Sequence, residues 1–168
     1  MVDGETFRAV LGHYPTGVCV VTSTDREGRP LGMSVGTFTS VSLDPPLVAF
    51  LPHRDSATWR ALRATGRFCV NVLTDVQAPV SRRFATRSED RFAGVCHRPS
   101  PLGSPVFDGV AAWVDCRLHA VHEAGDHHIA VGEVVSLELG APARPLLFYR
   151  GTYGRLAPAR ERDPAARP

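Results

Sequence analysis

The sequence has 168 residues, of which 43% are hydrophobic and 21% charged, and its formal net charge is +2. These values fit one globular domain and argue against a basic face for nucleic acid. No apolar run approaches the roughly 18 residues of a membrane span, and the acidic N-terminus lacks the pattern of a secretory signal, so we expect a soluble, cytoplasmic protein.

The first part of the chain predicts one helix followed by short strands. Asp3 can cap a helix in which Phe7, Val10 and Leu11 recur at helical spacing, and we expect this helix to pack over one end of a barrel. Turn residues and a proline pair then separate four strands. The predicted strands are residues 18–22, a segment beginning at residue 31, residues 41–43 and residues 47–51.

The rest of the chain predicts two more helices and four more strands. Ser56 can cap a helix containing Trp59, and residues 76–85 predict a helix with Pro79 in its first turn. A long loop rich in glycine, proline and serine follows, and a turn at residues 123–126 joins the two longest strands. The predicted strands are residues 67–73, 111–122, 127–139 and 145–149.

Strands dominate this pattern, and short helices interrupt them without a regular alternation of strand and helix. The pattern therefore predicts a mainly β protein, an antiparallel β-barrel with short peripheral helices, rather than a doubly wound sheet. We assign residues 1–156 to this domain and expect residues 157–168 to form a disordered tail.

Two segments could bind a ligand through their backbone amides. Residues 33–42, MSVGTFTSVS, have small side chains that let a planar polar ligand approach the amides, although an ordinary polar edge strand fits the same pattern. Residues 52–58, PHRDSAT, lead into a predicted helix start. Free amides, hydroxyls and an arginine can bind a phosphate there, and the alternative is a plain helix cap.

Two further segments carry histidine and arginine. Residues 125–128, GDHH, place a histidine where it can donate a hydrogen bond to a ligand or carry a proton, although Gly and Asp also serve the turn itself. Together with His119 and His122 they invite a metal site, but odd spacings on a strand separate the side chains onto opposite faces. Residues 82–84, RRF, could grip a phosphate or cover a ring, or form a solvated face above a core phenylalanine.

Several catalytic patterns do not occur in the sequence. It contains no lysine, which excludes a lysine Schiff base, and no Gly-rich nucleotide-binding fingerprint or Gly-x-Ser-x-Gly elbow. Its four cysteines are scattered without a C-x-x-C pair, as expected of buried reduced thiols rather than disulfides or a zinc site.

Six motifs follow one another along nearly the whole chain. They are YPTGV at 14–18, FTSVSLDPPLV at 38–48, FCVNVL at 68–73, SRRFA at 81–85, GDH at 125–127 and PLLFYRG at 145–151. In this order they resemble the short-chain flavin reductases, the reductase components of two-component flavin-dependent monooxygenases. The resemblance implies a homodimeric split barrel that binds FMN or FAD and uses NADH or NADPH as co-substrate.

The resemblance also implies roles for particular residues. The residues implied around the isoalloxazine ring are Met33, Ser34, Val35, Gly36 and Thr37, with Ser40 and Val41. Those implied at the ribityl chain and phosphate are Pro52, His53, Ser56 and Thr58, with Arg83 and Phe84 nearby. His127 would face the nicotinamide, and Tyr153 would help to close the site.

Hydride transfer between two stacked rings requires no acid or base from the protein, so His127 is expected to orient the nicotinamide. Residues 52–55, PHRD, are more charged than the neutral loop often found in the family, which leaves the choice of flavin open. Two other functions stay open as well. The barrel could hold its flavin permanently and act on an organic substrate, or it could store or sense flavin without catalysis.

Overall fold

The computed structural model describes residues 1–86 and 90–157, so all but the first residue of the predicted tail lies outside the described residues. The helices are α1 (Gly4–Leu11), α2 (Ala57–Ala64) and α3 (Ala78–Ala85), with a 3₁₀ turn at Asp75–Gln77. The strands are β1 (Thr16–Gly17), β2 (Cys19–Thr24), β3 (Pro30–Val35), β4 (Thr39–Leu43), β5 (Pro46–Phe50), β6 (Arg67–Val72), β7 (His97–Pro99), β8 (Pro105–Phe107), β9 (Ala112–Ala124), β10 (His127–Leu139), β11 (Leu146–Tyr149) and β12 (Thr152–Arg155). Within these two ranges, no helix has the length and apolar character needed to cross a bilayer.

Seven strands form the main sheet in the order β3-β2-β6-β9-β10-β5-β4. Two smaller sheets have the orders β1-β11-β12 and β7-β8, and the strands of all three sheets pair antiparallel. Each strand predicted from the sequence corresponds to a strand of the structure. The prediction of a mainly β, antiparallel fold with short helices is therefore confirmed.

The main sheet is covered on both faces, because neighbouring residues of strand β2 belong to different hydrophobic clusters. Val21 of β2 belongs to a cluster that also contains Trp59 and Leu62 of α2. Its neighbour Val20 belongs to a second cluster that contains Phe84 of α3 and Phe107 of β8. The period-2 alternation of strand side chains thus attaches α2 to one face and α3 to the other.

Helix α1 is capped as predicted, but it does not pack as predicted. The Asp3 carboxylate accepts a hydrogen bond from the Thr6 amide at 2.9 Å, a typical N-cap. No residue of α1 is buried, and Phe7 and Val10 are each more than half exposed. The expectation that this helix packs over a barrel end of its own chain is therefore wrong, since its apolar face contacts too little of the chain to be covered.

The loop predicted after α3 contains two strands that the sequence pattern did not reveal. His97–Pro99 pairs with Pro105–Phe107 as a short hairpin, and β12 pairs with β11 after a turn. Strands of three or four residues are too short to show alternation, and proline is normally a signal against a strand. The sequence patterns therefore did not predict β7, β8 or β12, although they predicted β11.

The hairpin β7-β8 is held to the sheet by a buried carboxylate. Asp115 of β9 is 0% exposed, and its Oδ2 accepts a hydrogen bond from the Leu102 amide at 2.8 Å. Its Oδ1 has no hydrogen-bond partner among the described residues. Burial raises the pKa of this carboxyl above its ordinary value, because an ionised carboxylate is poorly solvated in the protein interior.

Asp115→Asn is expected to lose less stability than the wild type as the pH rises. A carboxyl whose folded pKa is raised contributes stability below its unfolded pKa, and that contribution is lost as the pH rises through the folded value. The stability that this carboxyl contributes therefore begins to fall near pH 3.8, its ordinary pKa, and falls further as the pH rises. Asparagine keeps an oxygen for the Leu102 amide without carrying a charge.

The test compares the Tm of the wild type and of the variant at about pH 4 and about pH 7 at one ionic strength. The difference in Tm between Asp115→Asn and the wild type should become more positive at the higher pH. Asp108→Asn, which changes an exposed carboxyl, serves as the control and should show no such trend. A difference that is equal at both pH values would contradict the assignment.

Candidate active site

A cleft of about 890 Å³ lies between β3, the start of α2, the end of α3 and the segment that follows α3. This volume is within the range of small-molecule and cofactor sites. Six residues predicted from the sequence line the cleft: Met33, Ser34, His53, Ser56, Thr58 and Phe84. Six more were not among the predicted site residues: Asp55, Ala57, Arg60, Ala85, Thr86 and Arg91. The structure thus brings together three segments that are distant in sequence.

The start of α2 provides hydrogen-bond donors at one end of the cleft. Ser56 is the N-cap, and its Oγ accepts a hydrogen bond from the Trp59 amide at 3.2 Å. The amides of Ala57 and Thr58 donate to no acceptor among the described residues. Unpaired amides at a helix N-terminus carry partial positive charge and attract phosphate groups. Ser56 is therefore a helix cap, as one of the two interpretations predicted. The two amides next to it remain free to bind a phosphate group.

Arg91 adds a cation to the same end of the cleft. Its Nη1 donates to the Gly32 carbonyl at 2.9 Å and to Thr58 Oγ1 at 3.0 Å. These two bonds fix the guanidinium between β3 and the start of α2, and neither of them uses the two hydrogens on Nη2. The Nε atom is buried and has no partner among the described residues. Sequence reasoning missed Arg91, because it lies in the segment interpreted as a long loop.

Another part of the cleft wall is apolar and aromatic. Phe84 is 2% exposed and packs edge-on against Phe92 at a centroid distance of 4.9 Å. Gly32 contacts this pair, and a Cβ at that position would lie 2.5 Å from the nearest atom of the Phe84 ring. Phe84 is thus nearly buried, and the half-buried Met33 on the neighbouring strand position offers apolar surface that can cover one face of a flat ring.

Hydroxyl groups connect this wall to the far side of α3. Ser34 Oγ lies 2.9 Å from Ser81 Oγ, which in turn lies 2.8 Å from the Tyr153 hydroxyl. Tyr153 itself does not line the cleft, and the guanidinium carbon of Arg82 is 5.0 Å from the centroid of its ring. The predicted site residues Ser34 and Tyr153 are therefore connected through Ser81.

The β9-β10 hairpin lies beside the cleft and carries His127. The His127 ring packs edge-on against the ring of His53, a cleft residue, at a centroid distance of 5.2 Å. Its Nδ1 donates to the Asp126 carboxylate at 2.7 Å, and this bond holds the pKa of that carboxyl below its ordinary value. The Nε2 atom of His127 remains available to a ligand.

Backbone bonds attach this hairpin to the loop before α2. The Arg54 amide donates to the Asp126 carbonyl at 3.0 Å, and the His128 amide donates to the Pro52 carbonyl at 2.9 Å. On the inner side, the indole nitrogen of buried Trp59 donates to His128 Nδ1 at 2.8 Å. The hairpin and the start of α2 therefore form one unit.

The remaining predicted residues lie outside the cleft lining. Val35 is buried in the core, and Pro52 is buried beneath the hairpin. Thr37 Oγ1 accepts a hydrogen bond from the Leu51 amide at 2.9 Å. Arg83 donates to the Ala93 carbonyl. The other three are exposed: Gly36 directly after β3, and Ser40 and Val41 in β4.

The cysteines and histidines form no second site in the parts of the chain that the structure describes. Cys19, Cys69 and Cys116 are buried free thiols, as predicted, whereas Cys96 is exposed. Burial raises the pKa of Cys19 and of Cys116 to about 12, so neither is a reactive thiolate. No group of three or more potential metal ligands occurs in residues 1–86 and 90–157.

The chain is an antiparallel β protein, and one cleft contains an apolar wall, a helix N-terminus and a cation. These features fit a protein that binds a phosphorylated cofactor with a flat ring. Comparison with known proteins specifies the class. The model of the flavin reductase like domain family matches residues 11–157. The chain belongs to this family, which confirms the resemblance found in the motifs.

Named relatives agree with this assignment. The chain is 56% identical to a flavin reductase of Pseudomonas putida, over 93% of this chain and 92% of the relative. It is 48% identical to HsaB, the reductase subunit of a flavin-dependent monooxygenase of Mycobacterium tuberculosis, over 94% and 84% of the two chains. The solved structure of SgcE6 from Streptomyces globisporus, an NADH:FAD oxidoreductase in complex with NAD and FAD fragments, has a TM-score of 0.87 and 37% identity, over 94% and 97%. The protein is an enzyme, an oxidoreductase that reduces flavin with a reduced nicotinamide.

Proposed function

We propose that this flavin reductase binds FAD in the cleft, reduces it with NADH and supplies reduced flavin to a flavin-dependent monooxygenase. The observation that carries the proposal is the presence, in one cleft, of the apolar wall at Met33 and Phe84 and of the free amides at the start of α2. A flavin carries an isoalloxazine ring at one end and phosphate at the other, and these two features of the cleft match the two ends.

The preference for FAD over FMN is supported by the cations of the cleft. Arg60 and Arg91 both line it, in addition to the amides of α2. FMN has one phosphate, whereas FAD has a pyrophosphate that can use a second cationic group, and arginine is well suited to phosphate oxygens. The name of SgcE6 as an NADH:FAD oxidoreductase supports the same choice.

In this proposal the protein mainly positions two rings. The flavin supplies the hydride acceptor, and the nicotinamide supplies the hydride. The backbone at Met33 and Ser34, extended by the other small residues of 35–41, would line the isoalloxazine ring. His53, Ser56 and Thr58 would hold the ribityl chain and phosphate. His127 would hold the nicotinamide through Nε2, because the hydrogen bond to Asp126 occupies Nδ1.

We also assign the main sheet to a split barrel. One hydrophobic cluster contains Val35 of β3 and Val48 of β5, which are separated by four strands in the sheet order. In a flat sheet with about 4.8 Å between strands, such residues would lie more than about 20 Å apart. A sheet that curls around the cluster brings them together.

The exposed apolar surface supports a homodimer. Phe7, Val10 and Leu11 of α1 are 57%, 62% and 52% exposed, and Leu139 at the end of β10 is 83% exposed. Large exposed apolar groups of this kind favour an interface, and a second copy offers the same surface. Light scattering coupled to gel filtration should give twice the mass of one chain, and a monomer at micromolar concentration would contradict the homodimer.

The first experiment follows NADH oxidation by absorbance with purified protein and added FAD or FMN, and repeats both with NADPH. Turnover that depends on free flavin, faster with FAD and with NADH, supports the proposal. Tight retention of flavin with little free-flavin turnover would instead indicate an enzyme that acts on its own organic substrate. Flavin binding without NADH oxidation would indicate storage or sensing.

A further inference from the structure

Three hydroxyl groups form a continuous hydrogen-bonded chain from the cleft through α3 to β12. Ser34 lies in the cleft wall, Ser81 is 1% exposed, and Tyr153 lies at the outer end. The oxygen atoms are separated by 2.9 Å and 2.8 Å, and at each of the two contacts either atom can donate. The three residues come from β3, α3 and β12, so only the tertiary fold assembles the chain.

A chain made only of hydroxyls can reverse its direction. Each hydroxyl has one hydrogen and two lone pairs, so the donors can point from Tyr153 towards the cleft or from the cleft towards Tyr153. In the first direction Ser34 presents its hydrogen to the cleft, and in the second it presents a lone pair. Arg91 in the same cleft can only donate, because a guanidinium has no acceptor.

We propose that the Ser34-Ser81-Tyr153 chain adapts the cleft to both redox states of its ligand, with Ser81 as the positioning residue. This inference rests on the proposed flavin site. The ring nitrogens of an oxidised flavin accept hydrogen bonds, and two-electron reduction converts one or more of them to N–H donors. Ser34 donates to the oxidised ring and accepts from the reduced ring, and reversal of the chain allows both.

Tyr153 ends the chain and is only half-buried. When the chain points outward, we infer that its hydroxyl gives its hydrogen to water. The guanidinium of Arg82 lies over its ring at 5.0 Å, and Phe148 packs against the ring edge-on at 5.4 Å. These contacts hold the phenol in place while its hydrogen changes direction.

The two redox states depend on Ser81 to different degrees. When the ligand is oxidised, the hydrogen of Ser34 points at the ligand, and loss of Ser81 leaves only a lone pair of Ser34 without a partner. When the ligand is reduced, the hydrogen of Ser34 must point at Ser81, since Ser34 has no other partner among the described residues. Loss of Ser81 then leaves a donor unpaired, which is the costlier defect.

The experiment measures the Kd of FAD in air and of reduced FAD under anaerobic conditions, for the wild type and for Ser81→Ala. The ratio of the Kd for reduced FAD to that for oxidised FAD should rise roughly 3- to 10-fold in the variant. The midpoint potential of bound flavin should fall correspondingly, by roughly 15 to 30 mV for two electrons. Tyr153→Phe keeps the ring and removes only the outer hydroxyl, so it should shift the ratio in the same direction by less.

Ser23→Ala provides a matched control, because Ser23 Oγ lies 2.8 Å from Thr65 Oγ1 in a hydroxyl pair outside the cleft lining. It should leave the ratio unchanged. Equal weakening of both redox states by Ser81→Ala would show a purely structural bond and overturn the inference, as would an unchanged ratio in Tyr153→Phe if Ser81→Ala fails to fold. Failure of the wild type to bind FAD or FMN would be a different result, since it would remove the proposed function itself.

Discussion

Replacement of His127 by alanine is expected to raise the apparent KM for NADH roughly tenfold and to leave the Kd of flavin within about twofold. His127 packs against His53, which lines the cleft, and its Nδ1 is hydrogen-bonded to Asp126. The proposed contact is therefore between Nε2 and the nicotinamide, and its loss removes one hydrogen bond from NADH binding. Steady-state kinetics at saturating flavin, together with flavin titration by fluorescence, would measure both quantities.

His119→Ala is the matched control for this variant. His119 is an exposed histidine on β9 of the same hairpin, and it does not line the cleft. The control should leave both the KM and the flavin Kd unchanged. If His127→Ala also leaves the KM for NADH unchanged, His127 does not orient the nicotinamide, whatever the flavin affinity.

Gly132→Ala is expected to lower the free energy of unfolding by about 3 kcal/mol or more. A Cβ at this position would overlap the Phe68 ring and lie 2.9 Å from Cys116 Cβ. Phe68 is fully buried and packs edge-on against Phe50 at 5.2 Å, so it cannot move aside without disturbing the core beside α2. Gly132 also adjoins a register shift between β10 and β9, where a bulkier residue would strain the pairing.

Gly17→Ala is the control, because a Cβ at Gly17 in strand β1 meets no atom within 4 Å. Urea denaturation of both variants would give the two free energies. The control should stay within about 0.5 kcal/mol of the wild type. Equal free energies for the two variants would mean that the Phe68 pocket accepts the extra carbon.

Local patterns in the sequence were sufficient for the strands that carry the fold. Residues 18–22 and 67–73 contain β-branched and apolar runs bounded by turn residues, and they form β2 and β6, two interior strands of the main sheet. The helix starts at Asp3 and Ser56 were also predictable, because an N-cap depends on residues within one turn of itself. The turn predicted at 123–126 was also readable from the sequence, because glycine favours positive φ, and Gly125 has a φ of 65°.

The composition of the cleft depended on long-range contacts. Ser34, Phe84 and Arg91 are far apart in sequence, and only the packing of α3 and the following segment against β3 places them around one space. The sequence around Arg91 matches no known phosphate-binding motif, so its two bonds to Gly32 and Thr58 could not be predicted. Likewise, the bond between Ser34 and Ser81 joins residues 47 positions apart.

The sequence by itself therefore determined the antiparallel β class, the capped helices and, through six ordered motifs, the flavin reductase family. These features arise from the chemistry of neighbouring residues, which remains readable without a fold. Only the tertiary structure decided which side chains meet in the cleft, that the hairpin bearing His127 is bonded to the start of α2, and that Ser81 links Ser34 to Tyr153. Side-chain contacts between distant strands and helices depend on sheet order and curvature, and no local pattern encodes those directly.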